Sequence, residues 1–190
     1  MTTKYLLALL SLVIPAAAAE TSLELDPART TVAFSVPSTL HTVHGMFKLK
    51  RGALHFDPET GKASGEIVVD ASSGASGDDA RDHRLQKEIL EAMRFPDAVF
   101  TPDRVMGTLA AQGDSTLDVH GMLQLHGAPH EMTLHFTAKG TGGEVSASTQ
   151  FVIPYIQWGL KNPSNFLLKV KDKVELEVQT IARVQSAASR

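Results

Sequence analysis

Residues 115–138 read STLDVHGMLQLHGAPHEMTLHFTA. Leu117, Val119, Leu123 and Leu125 fall on alternate positions, with Asp118, His120, Gln124 and His126 between them. Successive side chains of an extended chain point to opposite faces, so this spacing makes one apolar and one polar face. Gly127-Ala128-Pro129 breaks the run with turn-forming residues. Met132, Leu134 and Phe136 then resume it. Two alternating runs around a short turn predict a β-hairpin with one packed face and one wet face.

The same period recurs along the chain. Val32, Phe34 and Val36 share a face, as do Val43, Phe47 and Leu49 against His44, Met46, Lys48 and Lys50. Leu54 and Phe56 precede a PETGK turn, and Ile67 lies opposite Glu66 and Val68. Val145, Ala147, Thr149, Phe151 and Ile153 form another face, and Val174, Leu176, Val178 and Ala182 the last. One segment differs. In DDARDHRLQKEILEAMRFP, residues 78–96, Leu85, Ile89, Ala92 and Met93 have helical spacing. This predicts an amphipathic helix over about 80–94, capped by Asp79 or Asp82 and stopped by Pro96. The fold class is therefore all-β, with about eight antiparallel strands and one helix. Such a chain folds as a sandwich or a closed barrel, and a barrel of that size can hold one small ligand. Ala53, Gly65, Gly121 and Ala147 interrupt the apolar faces. They either leave space inside or ease strand bends.

The N-terminus, MTTKYLLALLSLVIPAAAAE, has Lys4, an apolar run from Tyr5 to Ile14 and a small-residue site at Ala17-Ala18-Ala19. That order predicts an export signal over 1–19, cut after Ala19. It leaves a domain over 20–184 and a flexible tail over 185–190. The absence of cysteine excludes disulfides and thiolate metal sites. No later stretch is long and apolar enough for a membrane span, so no stable membrane insertion is expected. The charge is −3 over the whole chain and is scattered. No basic patch suits a nucleic acid.

Motifs for catalysis are missing. The chain has no Gly-x-Ser-x-Gly elbow, no cysteine nucleophile, no marked carboxylate pair and no Gly-rich phosphate loop opening a helix. No catalytic residue is assigned. The eight histidines show no HExxH spacing. His41 and His44 take opposite faces, and His120, His126 and His135 fall on the outer face. No metal and no cofactor is expected. The single tryptophan lies in IQWGLKNPSNFLLKV, residues 156–170. Asn162-Pro163-Ser164 predicts a turn. Trp158 is either a plug in the end of a barrel or one wall of a ligand site.

Several stretches in order resemble the YceI family. They are Arg81, Asp82 and Leu85 in RDHRL; Phe95, Pro96 and Phe100 in RFPDAVF; Val43, Gly45 and Phe47 in VHGMFKLKRGALHFD; the hairpin LDVHGMLQLHGAPHEMTLHF; and the closing WGLKNPSNFLLKVKDKVELEV. The resemblance implies a lipocalin-like antiparallel barrel with the helix near its mouth. It also implies export to the periplasm and a bound isoprenoid-type lipid, either a polyprenyl chain or an isoprenoid quinone. The expected partner is that hydrophobic small molecule, with at most transient membrane contact, and the protein itself a monomer or homodimer. Ligand-lining positions are then Phe34, Phe47, Leu54, Leu85, Ile89, Phe95, Phe100, Leu117, Leu123, Phe136, Phe151 and Trp158. Arg81, Asp82 and His41 are headgroup or rim positions, with capping and rim packing the alternative for the first two. The chain departs from the family at SGASGDD before the helix and at Ile89-Leu90, where many members have aromatics after the helix. Both bear on the ligand. Two other functions are compatible with these residues: a periplasmic enzyme acting on a lipid or small molecule, and a stress-related interaction protein with a filled barrel.

Overall fold

The computed structural model describes residues 20–164 and 169–186. The expected export signal over 1–19 lies outside them. The strands are β1 (Thr21–Leu25), β2 (Thr31–Pro37), β3 (Thr42–Phe56), β4 (Ala63–Ala75), β5 (Asp97–Gly107), β6 (Gln112–Leu125), β7 (Ala128–Thr141), β8 (Glu144–Ile153) and β9 (Val174–Ser186). All pair antiparallel, and the pairing of β3 with β4 closes the sheet. β1 and β2 share one position in the ring. β2 pairs with the first half of β3 and of β9, and β1 with their second halves. A 3₁₀ turn at Pro27–Arg29 separates the two, capped by Asp26, whose carboxylate accepts the Ala28 N–H at 3.0 Å. Nine strands thus fill eight places, and the closed barrel, rather than the sandwich, is the fold.

A bulge makes the closure possible. Register passes from Leu49↔Val69 to Arg51↔Val68, so Lys50 is an extra residue in β3. Leu49 and Leu54 lie five apart and would face opposite sides of a regular strand. The bulge restores the phase, and both are buried. It also aims Lys50 across the outside of the sheet. Lys50 Nζ lies 2.5 Å from Asp97 and 3.7 Å from Asp70, two acids paired directly across β4 and β5. Like charges in that position repel, and Lys50 offsets the repulsion.

The hairpin of β6 and β7 is paired continuously from Gln112↔Thr141 to Leu125↔Ala128. Its turn is His126-Gly127, with φ of 52° and 78°, rather than the expected Gly127-Ala128-Pro129. A two-residue hairpin turn of this type needs two positive φ values, and proline cannot supply one. Pro129 lies instead in β7, opposite Gln124.

Two other expectations need correction. The helix α1 covers only Asp79–Arg84, and Leu85–Ile89 continues as a π-helical turn. Its cap is Asp78, not Asp79 or Asp82, with the Asp78 carboxylate accepting the Arg81 N–H at 2.9 Å. The chain turns away at Leu90, so Met93 is fully exposed and not part of the stripe. Residues 185 and 186, expected in the tail, belong to β9, which pairs as far as Ser186↔Thr21, and residues 187–190 lie outside the described residues. Of the two roles open to the small residues, the backbone role holds for Gly65, and at Gly121 the space is filled. Gly65 has φ of 122° and serves the backbone. A Cβ on Gly121 would meet the Phe100 ring at 2.9 Å, so the ring occupies that space.

Inward side chains divide into two zones. At one end Leu23, Leu54, Phe56, Val105, Leu117, Ala138, Val145 and Ala182 pack together as a closed core. Towards the other end the same strands surround a cavity. Gly121→Ala tests the fit between them. Its Cβ would sit 2.3 Å from the Thr101 carbonyl oxygen and 2.8 Å from the Pro102 Cα, backbone atoms that cannot step aside. The variant should lose about 1–3 kcal/mol of stability in urea unfolding.

Candidate functional site

The cavity has a volume of about 570 Å³, within the range of small-ligand sites. Its wall is almost wholly apolar. β2 contributes Val32, Phe34 and Val36; β3 Val43, Phe47 and Leu49; β4 Ile67, Val69 and Ala71; β5 Ala98 and Phe100. β6 adds Leu123 and Leu125, β7 Met132, Leu134 and Phe136, β8 Phe151 and Ile153, and β9 Val174, Leu176 and Val178. Each set is one alternating face, so the strand period that builds the barrel also builds the wall.

Two elements shape the mouth. The first is α1 with its π turn. The Leu90 N–H bonds to the Leu85 carbonyl at 2.9 Å, a five-residue step. This wider turn brings Leu85, Ile89 and Leu90 to the cavity together. It fits against β4 because Gly74 has no side chain; a Cβ there would lie 2.7 Å from Phe47 and 2.9 Å from Leu85. The second is the strap after β8, residues 154–164, whose Tyr155, Leu160 and Pro163 also line the cavity. The Tyr155 hydroxyl donates to the Lys171 carbonyl at 2.6 Å, and burial pushes its pKa up. The turn at residues 162–164 is present, with the Ser164 N–H donating to Asn162 Oδ1 at 2.8 Å.

The Arg81–Asp82 pair is occupied by the protein itself. Asp82 accepts the Ser76 N–H at 2.8 and 3.0 Å and also the Ser76 hydroxyl. Arg81 Nε donates to Ser76 Oγ at 2.6 Å and Nη2 to the Ser76 carbonyl at 3.0 Å. Burial alone would raise the Asp82 carboxyl, but the two Ser76 donors and the Arg81 charge outweigh it and hold it low. The pair therefore pins the β4–α1 loop at the rim. Arg81 still borders the cavity, with Arg84, Ser38 and the exposed His41.

Among the expected lining positions, Phe34, Phe47, Phe100, Leu123, Phe136 and Phe151 lie on the wall, with Leu85 and Ile89 at the mouth. Leu54 and Leu117 belong to the packed end. Phe95 lies outside the cavity, its ring 4.7 Å from that of His126, over the bare Gly127. Trp158 does not border the cavity but packs against the core from the strap that covers the barrel end. It stacks on His130, with ring centres 3.8 Å apart and planes within 6°. Leu25, Thr30, Tyr155 and Leu160 border the cavity without having been singled out. Tyr155 could have been found by continuing the Val145–Ile153 alternation one step past Pro154.

The outer histidines do not group. His120 sits between Asp103 at 2.7 Å and Glu131 at 3.1 Å, and the bond to Asp103 chiefly raises its pKa. His135 bonds Asp118 at 2.6 Å, and His126 is turned towards Glu91 at 3.6 Å. Among the described residues no three His, Cys, Asp or Glu side chains converge as metal ligands.

Two titrations follow. His130 Nε2 is buried without a hydrogen-bond partner among the described residues, and desolvation pushes its pKa down. The folded protein then holds fewer protons there than the unfolded chain. Its share of stability is complete above about pH 6.5 and is lost as the pH falls. Trp158 emission should change over that fall, and His130→Phe, which keeps the stack, should abolish the change. Asp82→Asn should cost about 1 kcal/mol at pH 7. Because the native carboxyl is held low, the deficit should close as the pH drops below about 4, measured by urea unfolding across pH.

A YceI-like domain model matches residues 23–182. A UPF0312 protein of Pseudomonas syringae pv. tomato is 32% identical over 103 residues, covering 53% of this chain and 51% of that one. A UPF0312 protein of Vibrio vulnificus is 32% identical over 102 residues, covering 53% and 52%. The chain thus matches about half the length of these curated relatives. Among solved structures, BcnA of Burkholderia cenocepacia superposes with a TM-score of 0.67 at 18% identity, covering 83% of this chain and 98% of that one. A polyisoprenoid binding domain from Saccharophagus degradans gives 0.65 at 16% identity, covering 86% and 98%. Sequence match and barrel architecture agree, and the chain belongs to the YceI-like family.

Proposed function

We propose that this protein is a periplasmic carrier that holds an isoprenoid-type lipid, a polyprenyl chain or an isoprenoid quinone, in its barrel. The observation that carries the reading is the cavity of about 570 Å³, walled by aliphatic and aromatic side chains and bordered by polar groups at the rim. A hydrocarbon chain needs no special chemistry to be held there, since each buried CH₂ contributes ~0.8 kcal/mol. The solved relative described as a polyisoprenoid binding domain supports the same ligand class. The N-terminal stretch over 1–19 supports export. Binding, not catalysis, is the role this site suits: among the described residues that border it, no nucleophile side chain is bonded to a histidine or lysine side chain.

The test uses protein produced in its native compartment. Organic extraction and mass spectrometry should yield about one lipid per protein, and an empty barrel would refute the carrier. Val178→Phe, which enlarges the wall residue paired with Thr149, should fold and lower the lipid content severalfold.

A further inference from the structure

We infer that the floor of the cavity is a hydrogen-bonding subsite for a neutral oxygen, a hydroxyl or carbonyl, carried by the buried end of the lipid. This rests on the carrier reading and narrows its ligand class. The buried polar residues among the described ones are Thr149, 4% exposed, and Thr180, 7% exposed. Both border the cavity, as does Thr30. Thr149 pairs with Phe136 on one side and Val178 on the other, and Thr180 pairs with Ala147. They lie where the open zone meets the packed core of Ala138, Val145 and Ala182.

Counting protons shows what the floor can offer. Thr30 Oγ1 donates to the Asp26 carbonyl at 2.7 Å, which uses its one proton. The 2.7 Å bond between Thr30 and Thr180 must then run from Thr180 to Thr30. Thr180 keeps lone pairs for an incoming donor but no proton. Thr149 Oγ1 finds no partner among the described residues. It keeps both its proton and its lone pairs, on the strand face that Phe151 and Ile153 present to the cavity. Burying a hydroxyl without a partner is costly, and valine would have the same shape without the cost. A ligand oxygen accepting from Thr149 removes the penalty. A ligand hydroxyl can also donate to Thr149 or Thr180.

The oxygen must be neutral. The charged side chains bordering the cavity, Arg81 and Arg84, belong to α1 at the mouth. Nothing at the floor offsets the cost of burying an anion. A phosphate would therefore stay at the rim, whereas a hydroxyl or ring carbonyl is matched below.

The experiment is a two-by-two comparison of wild type and Thr149→Val with farnesol and with farnesene, the hydrocarbon of the same chain. Farnesol should lose roughly tenfold in affinity in the variant, while farnesene should lose nothing or gain. Thr149→Ser should restore farnesol binding. Farnesyl phosphate, anchored at the rim, should be indifferent to all three. The variant should melt at or above the wild-type temperature. Equal effects on farnesol and farnesene would overturn the subsite while leaving the carrier intact. Failure of every isoprenoid to bind either protein would overturn both.

Discussion

Lys50 is the residue on which the closed sheet turns. β3 must pair with β1, β2 and β4, and no single uninterrupted phase serves all three. The extra residue lets Leu49 join the cavity wall while Leu54 joins the packed end. It also places a cation over Asp70 and Asp97, whose facing carboxylates would otherwise strain the seam between β4 and β5. Closure removes free sheet edges, which are templates for aggregation. It also fixes which inward residues can meet across the interior.

That interior is asymmetric for a reason visible in side-chain size and position. At the packed end, aliphatic residues from β1, β3, β5, β6, β8 and β9 meet around Phe56 and fill the volume. The 3₁₀ turn between β1 and β2 is tied to β8 there, with Arg29 bound to Asp26 at 2.9 Å and to Glu144 at 2.6 Å. At the other end the barrel is not finished by strands. Its cover is the short α1, its π turn and the strap. These are held by local polar bonds, such as those on Ser76 and the Tyr155–Lys171 link, rather than by a ladder. Elements with few backbone ties are the ones free to open at low cost. The stable end and the adjustable end are thus made from different kinds of interaction.

Much of the barrel was legible because alternation is a local property. The faces containing Leu117–Leu125, Met132–Phe136 and Val145–Ile153 could be read from spacing alone, and with them most of the aromatic wall. What could not be read depends on distance in three dimensions. Leu117 and Leu123 belong to the same face of one strand, yet one packs and the other borders the cavity. Only the level at which neighbouring strands cross decides between them. The helix failed for a related reason: Leu85, Ile89 and Met93 have α-helical spacing, but the five-residue step at Leu90 ended the stripe early. Phe95 was misplaced because a large aromatic near a mouth can pack inward or outward, and here bare Gly127 receives it outside the cavity. Trp158 reaches the barrel end but stops at the His130 ring, short of the cavity.

The stack of Trp158 on His130 ties the mouth to the most regular part of the sheet. His130 lies on β7 opposite Leu123, a wall residue. Trp158 lies in the strap, between Tyr155 and Leu160, which border the same cavity. Backbone bonds tighten the strap around it, with the Trp158 N–H on the Pro154 carbonyl at 3.1 Å and the Leu160 N–H on the Tyr155 carbonyl at 3.0 Å. The strap is therefore a compact unit that meets the barrel through the Trp158–His130 stack and through the buried Tyr155 and Leu160. Burial lowers the pKa of the imidazole that Trp158 stacks on. A neutral ring stacks without demanding water, whereas a charged one needs solvation that burial reduces. The inner face of β7 and the cover of the mouth thus meet in this pair of rings, beside the buried Tyr155 and Leu160 of the same strap.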